Sequence, residues 1–388
     1  MHRRSFMSGP LTALLLSAFQ GRPAAAQGAP NRTRWKVRAS EGFDAIAFLG
    51  PLSGTQLYLD HYAEDAAAFA ARLPEAVRAS VAQLWAQAAK DGFGLLGPNL
   101  QVLFSAHGND ATIDTLLKAL RSRHGAILPS YRASAYWSEA DWAWFDAAAP
   151  RLDAIFTGMR DAGFAAFRND RVVGLDGRTA EVARALAPYD VVSWQEKLTG
   201  RSFDPEIQIV LLRFSKPHGI KVQGQVFLQA ADYDTATTVR IAAHEMLHPP
   251  MPMDGPAATA ALAVLARDPL VTKIVKEHDP RWGYTTLEGL FDEDLVQALD
   301  QLISEALGVE RQPAERWRQA DDGMHVLAAG LYGLLRQDGW AQTGGSIDQW
   351  LAQAVRQGRL DPAPFHAVAA RVLERPAHAL WPLPKGRG

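Results

Sequence analysis

Two histidines four residues apart, with a glutamate directly after the first, form the run His244-Glu245-Met246-Leu247-His248. On a helix that spacing is about one turn, so both imidazoles lie on one face at a separation that lets them bind a single ion. Glu245 then stands beside that ion. There it can take a proton from a bound water, whose pKa a zinc ion lowers from about 15.7 towards about 7. The chemistry implied is metal-assisted hydrolysis with Zn2+ as cofactor and Glu245 as general base. The chain has no cysteine, so any metal must be held by nitrogen and oxygen donors.

Two histidines leave a zinc site one protein ligand short. Downstream, residues 284–292 read Tyr-Thr-Thr-Leu-Glu-Gly-Leu-Phe-Asp. This stretch resembles the glutamate helix of the gluzincin clan of zinc metallopeptidases, where the ligand glutamate is often followed by Gly or Ala and, four residues on, by Asp. The resemblance spans residues 244–292. It implies hydrolysis of a peptide bond, Glu288 as third ligand, and Asp292 as the acceptor that orients a ligand histidine.

Two other carboxylates compete for that place. Glu293 lies on the more polar face of the same helix, where it reads as a solvated charge unless a kink turns it inward. Asp254 follows His248 by six residues, the spacing of the third ligand in metzincins, but Met251 stands where those enzymes turn the chain on glycine. An oxyanion donor is also needed. His325 and Tyr332, seven residues apart and so on one helical face, are the downstream candidates, with Tyr284 as an outside choice. The chain departs from the commonest pattern by placing Pro249 and Pro250 directly after the second histidine.

The elements that must position these groups follow from periodicity and punctuation. A helix capped by Asp234 or Thr235 should run to His248 and stop there, since Pro249 cannot donate to the ladder and disfavours helical geometry at its predecessor. Its apolar stripe, Val239, Ala243, Met246 and Leu247, faces a core. Residues 207–214 and 220–229 are rich in β-branched and aromatic side chains and flank a turn at 215–219. They read as a hairpin, with the second strand offering a free edge to an extended peptide. Residues 30–190 read as mainly helical, with 100–105 suited to a buried strand, and the chain beyond Pro256 reads as helical again. The expected fold class is mainly α with a small β-sheet (α+β), a zincin-like catalytic domain whose HExxH helix lies next to a β-hairpin.

Forty basic and 42 acidic residues leave a formal charge of −2, and no long run of either sign occurs, which argues against nucleic acid or an anionic membrane surface as partner. The expected partner is a peptide or protein substrate. Arg3 and Arg4 precede an apolar stretch over 11–19 and a small-residue site, Ala24-Ala25-Ala26. This segment resembles a twin-arginine signal peptide over residues 1–26 and implies a periplasmic or secreted protein. No segment reaches the roughly 18 unbroken apolar residues of a stable membrane span. The expected organisation is therefore a signal over 1–26, a mainly helical region over 27–195 and a metallopeptidase domain over 196–388. The rival readings are an exported non-peptidase zinc hydrolase with the same constellation, and a binding or scaffold protein whose HExxH site is structural or degenerate.

Overall fold

A computed structural model describes residues 31–91, 102–103, 111–134, 136–172 and 174–382. The expected signal peptide, residues 1–26, lies outside them. The described chain is mainly helical around one small mixed sheet, as expected for the α+β class. Among the described residues no helix is long and apolar enough to cross a membrane.

Four strands build the sheet: β1 (Arg34–Ala39), β2 (Glu206–Leu212), β3 (Gly219–Gln223) and β4 (Val226–Ala230), in the order β1-β2-β4-β3. β1 and β4 both lie parallel to β2, and β3 runs antiparallel to β4 at the edge. Every residue of β2 after Glu206 is buried, which fits a central strand covered on both faces. Ile207, Ile209 and Leu211 enter the core that also holds the HExxH helix, joined by Phe227 from β4. Val210 and Leu212 point the other way, with Val222 and Leu228, into the core of the helices between residues 41 and 167.

Two expectations need correction here. The hairpin is not formed by residues 207–214 with 220–229; the second run is itself the hairpin, β3 and β4, turning at Gly224 and Gln225, and β2 pairs with β4 in parallel. Gly224 has φ +53, a conformation that a β-branched residue resists, so the run folds back in its middle. The region before residue 190 is mainly helical as expected, with Arg34–Ala39 as an outer strand that the sequence reading did not include. Of the expected strand at 100–105, Val102 and Leu103 are helical and fully buried, and its other residues lie outside the described set.

The sheet draws on both sides of the expected boundary at residue 195, and helix α2 (Val191–Thr199) runs through it. Helix α1 (Glu41–Leu52) is tied to the end of β2 by the fully buried Asp44. Its carboxylate takes hydrogen bonds from the Arg213 and Phe214 amides at 2.6 and 3.1 Å and pairs with Arg168 at 2.5 Å.

Helix α3 (Thr235–Glu245) carries the HExxH motif against this sheet, and the Asp234 side chain caps it by accepting from the Thr237 amide at 2.7 Å. Gly219 lets β3 approach closely, because a Cβ there would come within 2.6 Å of Ile241 on α3. Against α3 packs α4 (Leu287–Leu307), which is capped by Thr286 and almost wholly buried from Leu290 to Ser304. Helices α5 (Pro313–Gln319) and α6 (Val326–Gln337) pack beyond it.

Candidate metal centre

Helix α3 ends at Glu245, three residues before the expected stop, and the Leu247 amide bonds the His244 carbonyl at 3.0 Å in a tightened last turn. His248 precedes proline and so is pushed out of helical geometry, while Pro249 and Pro250 have no amide hydrogen with which to extend the ladder. His248 therefore reaches the site from a turn rather than from the helix. Its ring still lies beside that of His244, with Nε2 atoms 3.3 Å apart.

The third donor is Glu293. Its Oε1 lies 3.5 Å from His244 Nε2 and its Oε2 lies 3.5 Å from His248 Nε2. Together His244, His248 and Glu293 form a group that could hold a metal ion. Bonds of about 2.0–2.2 Å at tetrahedral angles place neighbouring donors about 3.3–3.6 Å apart. Each histidine lies at that distance from one of the two Glu293 oxygens, and with one ligand atom taken from each residue the three donors lie within 4.8 Å of one another.

Each inward-facing donor is oriented from behind. His244 Nδ1 is 2.7 Å from Asp300 Oδ2, and Asp300 is itself held by Arg316 through both of its oxygens. His248 Nδ1 is 3.3 Å from Asp292 Oδ2. Glu293 Oε1 accepts from Gln297 Nε2 at 2.8 Å, and Gln297 in turn accepts from the Trp317 indole at 2.8 Å. Carboxylates behind the imidazoles leave both Nε2 atoms free for an ion and raise their basicity.

The field in the site favours positive charge. Burial works against the protonated form of His248, but the Asp292 and Glu293 carboxylates outweigh it and hold the pKa up at about 10. His244 is raised too, against burial, by Glu293 and Asp300. Burial would raise Glu293, yet the two histidines hold its carboxyl well below the usual carboxylate range. A dication suits the place these protons occupy, and two imidazoles with one carboxylate are a donor set that zinc accepts.

Glu245 lines the same hollow as His244. Its Oε2 accepts from the Lys221 amide of β3 at 2.9 Å, and burial pushes its carboxyl up. The Lys221 ammonium donates to the His248 carbonyl at 2.6 Å, so one strand residue holds both Glu245 and the turn after α3. No family model matches this chain, and neither a curated protein nor a solved structure matches it.

The structure gathers His244, Glu245, His248 and Asp292 as expected and leaves out other expected members. Glu288, expected as third ligand, sits exposed in the first turn of α4, one and a half turns away from the face that meets the histidines. Asp254 is exposed in the turn before the next helix. His325, expected to donate to an oxyanion, is fully buried with its ring nitrogens 2.5 Å from Asp294 and 2.9 Å from Asp321. The Tyr332 hydroxyl is likewise spent on Glu305. The two do share a face, but that face packs on α4, because α6 is buried from Val326 to Leu335 and has no side open to a cleft. Tyr284 does reach the centre: its hydroxyl bonds Glu293, and burial together with that carboxylate drives its pKa far up.

Sequence reasoning missed Asp300, Arg316, Gln297 and Lys221. The signal for the α4 residues was a polar stripe, Glu293, Gln297, Asp300 and Ser304, at steps of four, three and four, and all four are buried. On a helix whose other faces are also covered, such a stripe faces a site and not solvent. Lys221 carries no comparable signal, since in sequence it is an ordinary polar position in a strand.

Proposed function

We propose that this chain is a zinc-dependent hydrolase of peptide bonds, with His244, His248 and Glu293 as metal ligands and Glu245 as the proton-transferring base. The observation that carries it is the convergence of His244, His248 and Glu293, one donor atom from each within 4.8 Å of the others, with the half-buried Glu245 adjoining them. The reading keeps the gluzincin arrangement of two histidines and a downstream glutamate but moves the glutamate to Glu293.

Zinc held there would supply Lewis acidity toward a carbonyl and make a water acidic near neutral pH. Glu245 receives the proton of the attacking water, and its raised pKa keeps that proton available for the leaving amine. The Lys221 amide fixes one Glu245 oxygen and leaves the other to make this transfer. Asp300 and Asp292 keep the imidazoles facing inward. Tyr136 lines the hollow on the His248 side with Glu245 and Asp292, and its hydroxyl is the donor we assign to the developing oxyanion.

Two hollows, of about 520 and 560 Å³, meet at Glu245. Edge strand β3 runs between them, with Gly219 lining the first and Lys221 the second. That geometry supports an extended substrate lying across the metal centre, although at Lys221 the outward amide is already taken by Glu245. The test is zinc content and cleavage of a mixed peptide library by purified protein, beside Glu245→Gln. One zinc per chain in both proteins, with cleavage only by the wild type, supports the reading. A wild type that binds zinc and leaves every peptide intact points to another amide or ester; a wild type without zinc overturns the proposal.

A further inference from the structure

The hollow on the His244 side contains three arginines, Arg240, Arg311 and Arg316, beside His244 and Glu245. Their charges are not equally spent. Arg316 is buried and committed to both oxygens of Asp300 and to the Gln301 side chain. Arg240 donates to the Val309 carbonyl and the Thr237 hydroxyl, both at 2.8 Å. The Arg311 side chain is exposed, and among the described residues neither it nor Arg240 is in an ion pair.

The wall of the hollow also carries Asp300 and Asp321, but Asp300 is paired with Arg316 and Asp321 with His325. Arg240 and Arg311 therefore remain as neighbouring cations that an anion can bridge. A guanidinium fork also matches a carboxylate in a way that few other groups do. On the opposite side the hollow is lined by Tyr136, Lys221 and Pro249, with the Lys221 ammonium already bound to the His248 carbonyl. That side also carries Asp292, so the two arginines without an ion pair among the described residues lie on the His244 side, and β3 leads from one end to the other.

We infer that the pocket of Arg311 and Arg240 binds a carboxylate of the substrate, so that the enzyme acts on peptides with an anionic group on the His244 side of the bond it cuts. This rests on the peptide-hydrolase reading above. The carboxylate is either the free C-terminus, as in release of a short C-terminal fragment, or the side chain of an Asp or Glu.

The test measures binding, so that it does not depend on turnover. Zinc-saturated Glu245→Gln protein is titrated with three fluorescent peptides of one sequence: a free acid, its C-terminal amide, and an amide with glutamate as last residue. The free acid or the glutamate peptide should bind at least about tenfold tighter than the plain amide, as charge-assisted pairing implies. Adding Arg311→Ala, on an exposed side chain, should reduce that ratio several-fold, and Arg311→Lys should restore part of it. Which anionic peptide gains identifies the source of the carboxylate. Equal affinity for all three peptides, or a ratio unchanged by Arg311→Ala, overturns the inference. Zinc content of the same preparations is read separately, so a failed metal site and a failed anion pocket give different results.

Discussion

Asp300 Oδ2 stands 2.7 Å from His244 Nδ1, behind the imidazole and opposite the metal-facing nitrogen. Arg316 holds Asp300 from the far side, so a buried chain runs from the arginine to the carboxylate to the imidazole to the metal position. Partners of this kind fix the tautomer and orientation of a ligand histidine.

Asp300→Asn keeps the volume but removes the charge that both neighbours use. Zinc affinity, read by competition with a chelator, should fall by about 10–100-fold. Stability should also fall, by about 3–5 kcal/mol, because Arg316 is left buried without its counter-charge. Denaturant unfolding of the metal-free protein separates the two effects.

Lys221 joins β3 to the motif twice, once through its amide and once through its ammonium. Lys221→Met keeps the amide and removes the donor to the His248 carbonyl. It should cost about 1.5–3 kcal/mol, the range for hydrogen bonds with a charged partner. Gly219→Val should act on the same strand by pushing it from Ile241, costing about 1–3 kcal/mol through overpacking. Both variants should lower cleavage while zinc per chain stays near the wild-type value.

The two histidines and Glu245 could be recognised in sequence because their relationship is local: five consecutive residues fix it. The third member of the candidate site could not be, because the face of α4 that meets α3 is decided by packing between helices far apart in the chain. The Glu-Gly pattern drew attention to Glu288, which shares an apolar face with Phe291 and Leu295 but lies in the exposed first turn. From sequence Glu293 reads as a solvated charge, since a polar face usually looks outward. Here α4 is enclosed on all sides, so the polar stripe became the site wall. The sheet tells the same story: the apolar runs were visible, but the parallel pairing of β2 with β4 and the arrival of β1 from nearly 170 residues upstream depend on the tertiary fold.

His325 should leave a signature in the pH dependence of stability. Burial disfavours its charge, but Asp294 and Asp321 more than compensate and hold its pKa up at about 10, above an ordinary value near 6.5. A group raised on folding stabilises the native state fully below its unfolded pKa and loses that contribution as pH climbs through its folded pKa. Stability should therefore decline between about pH 6.5 and 10. His325→Gln should be less stable at pH 6 and show a shallower decline, read from urea midpoints at several pH values. Parallel declines in the two proteins would mean that His325 is neutral in the fold.

Zinc stoichiometry of two single alanine variants decides whether Glu293, and not Glu288, completes the proposed metal site. Glu293→Ala should lose tightly bound zinc while remaining folded by circular dichroism, and Glu288→Ala, on an exposed first turn, should keep one zinc per chain with stability within about 0.5 kcal/mol of wild type. Retention of zinc by Glu293→Ala and its loss from Glu288→Ala would place the third ligand at Glu288 instead.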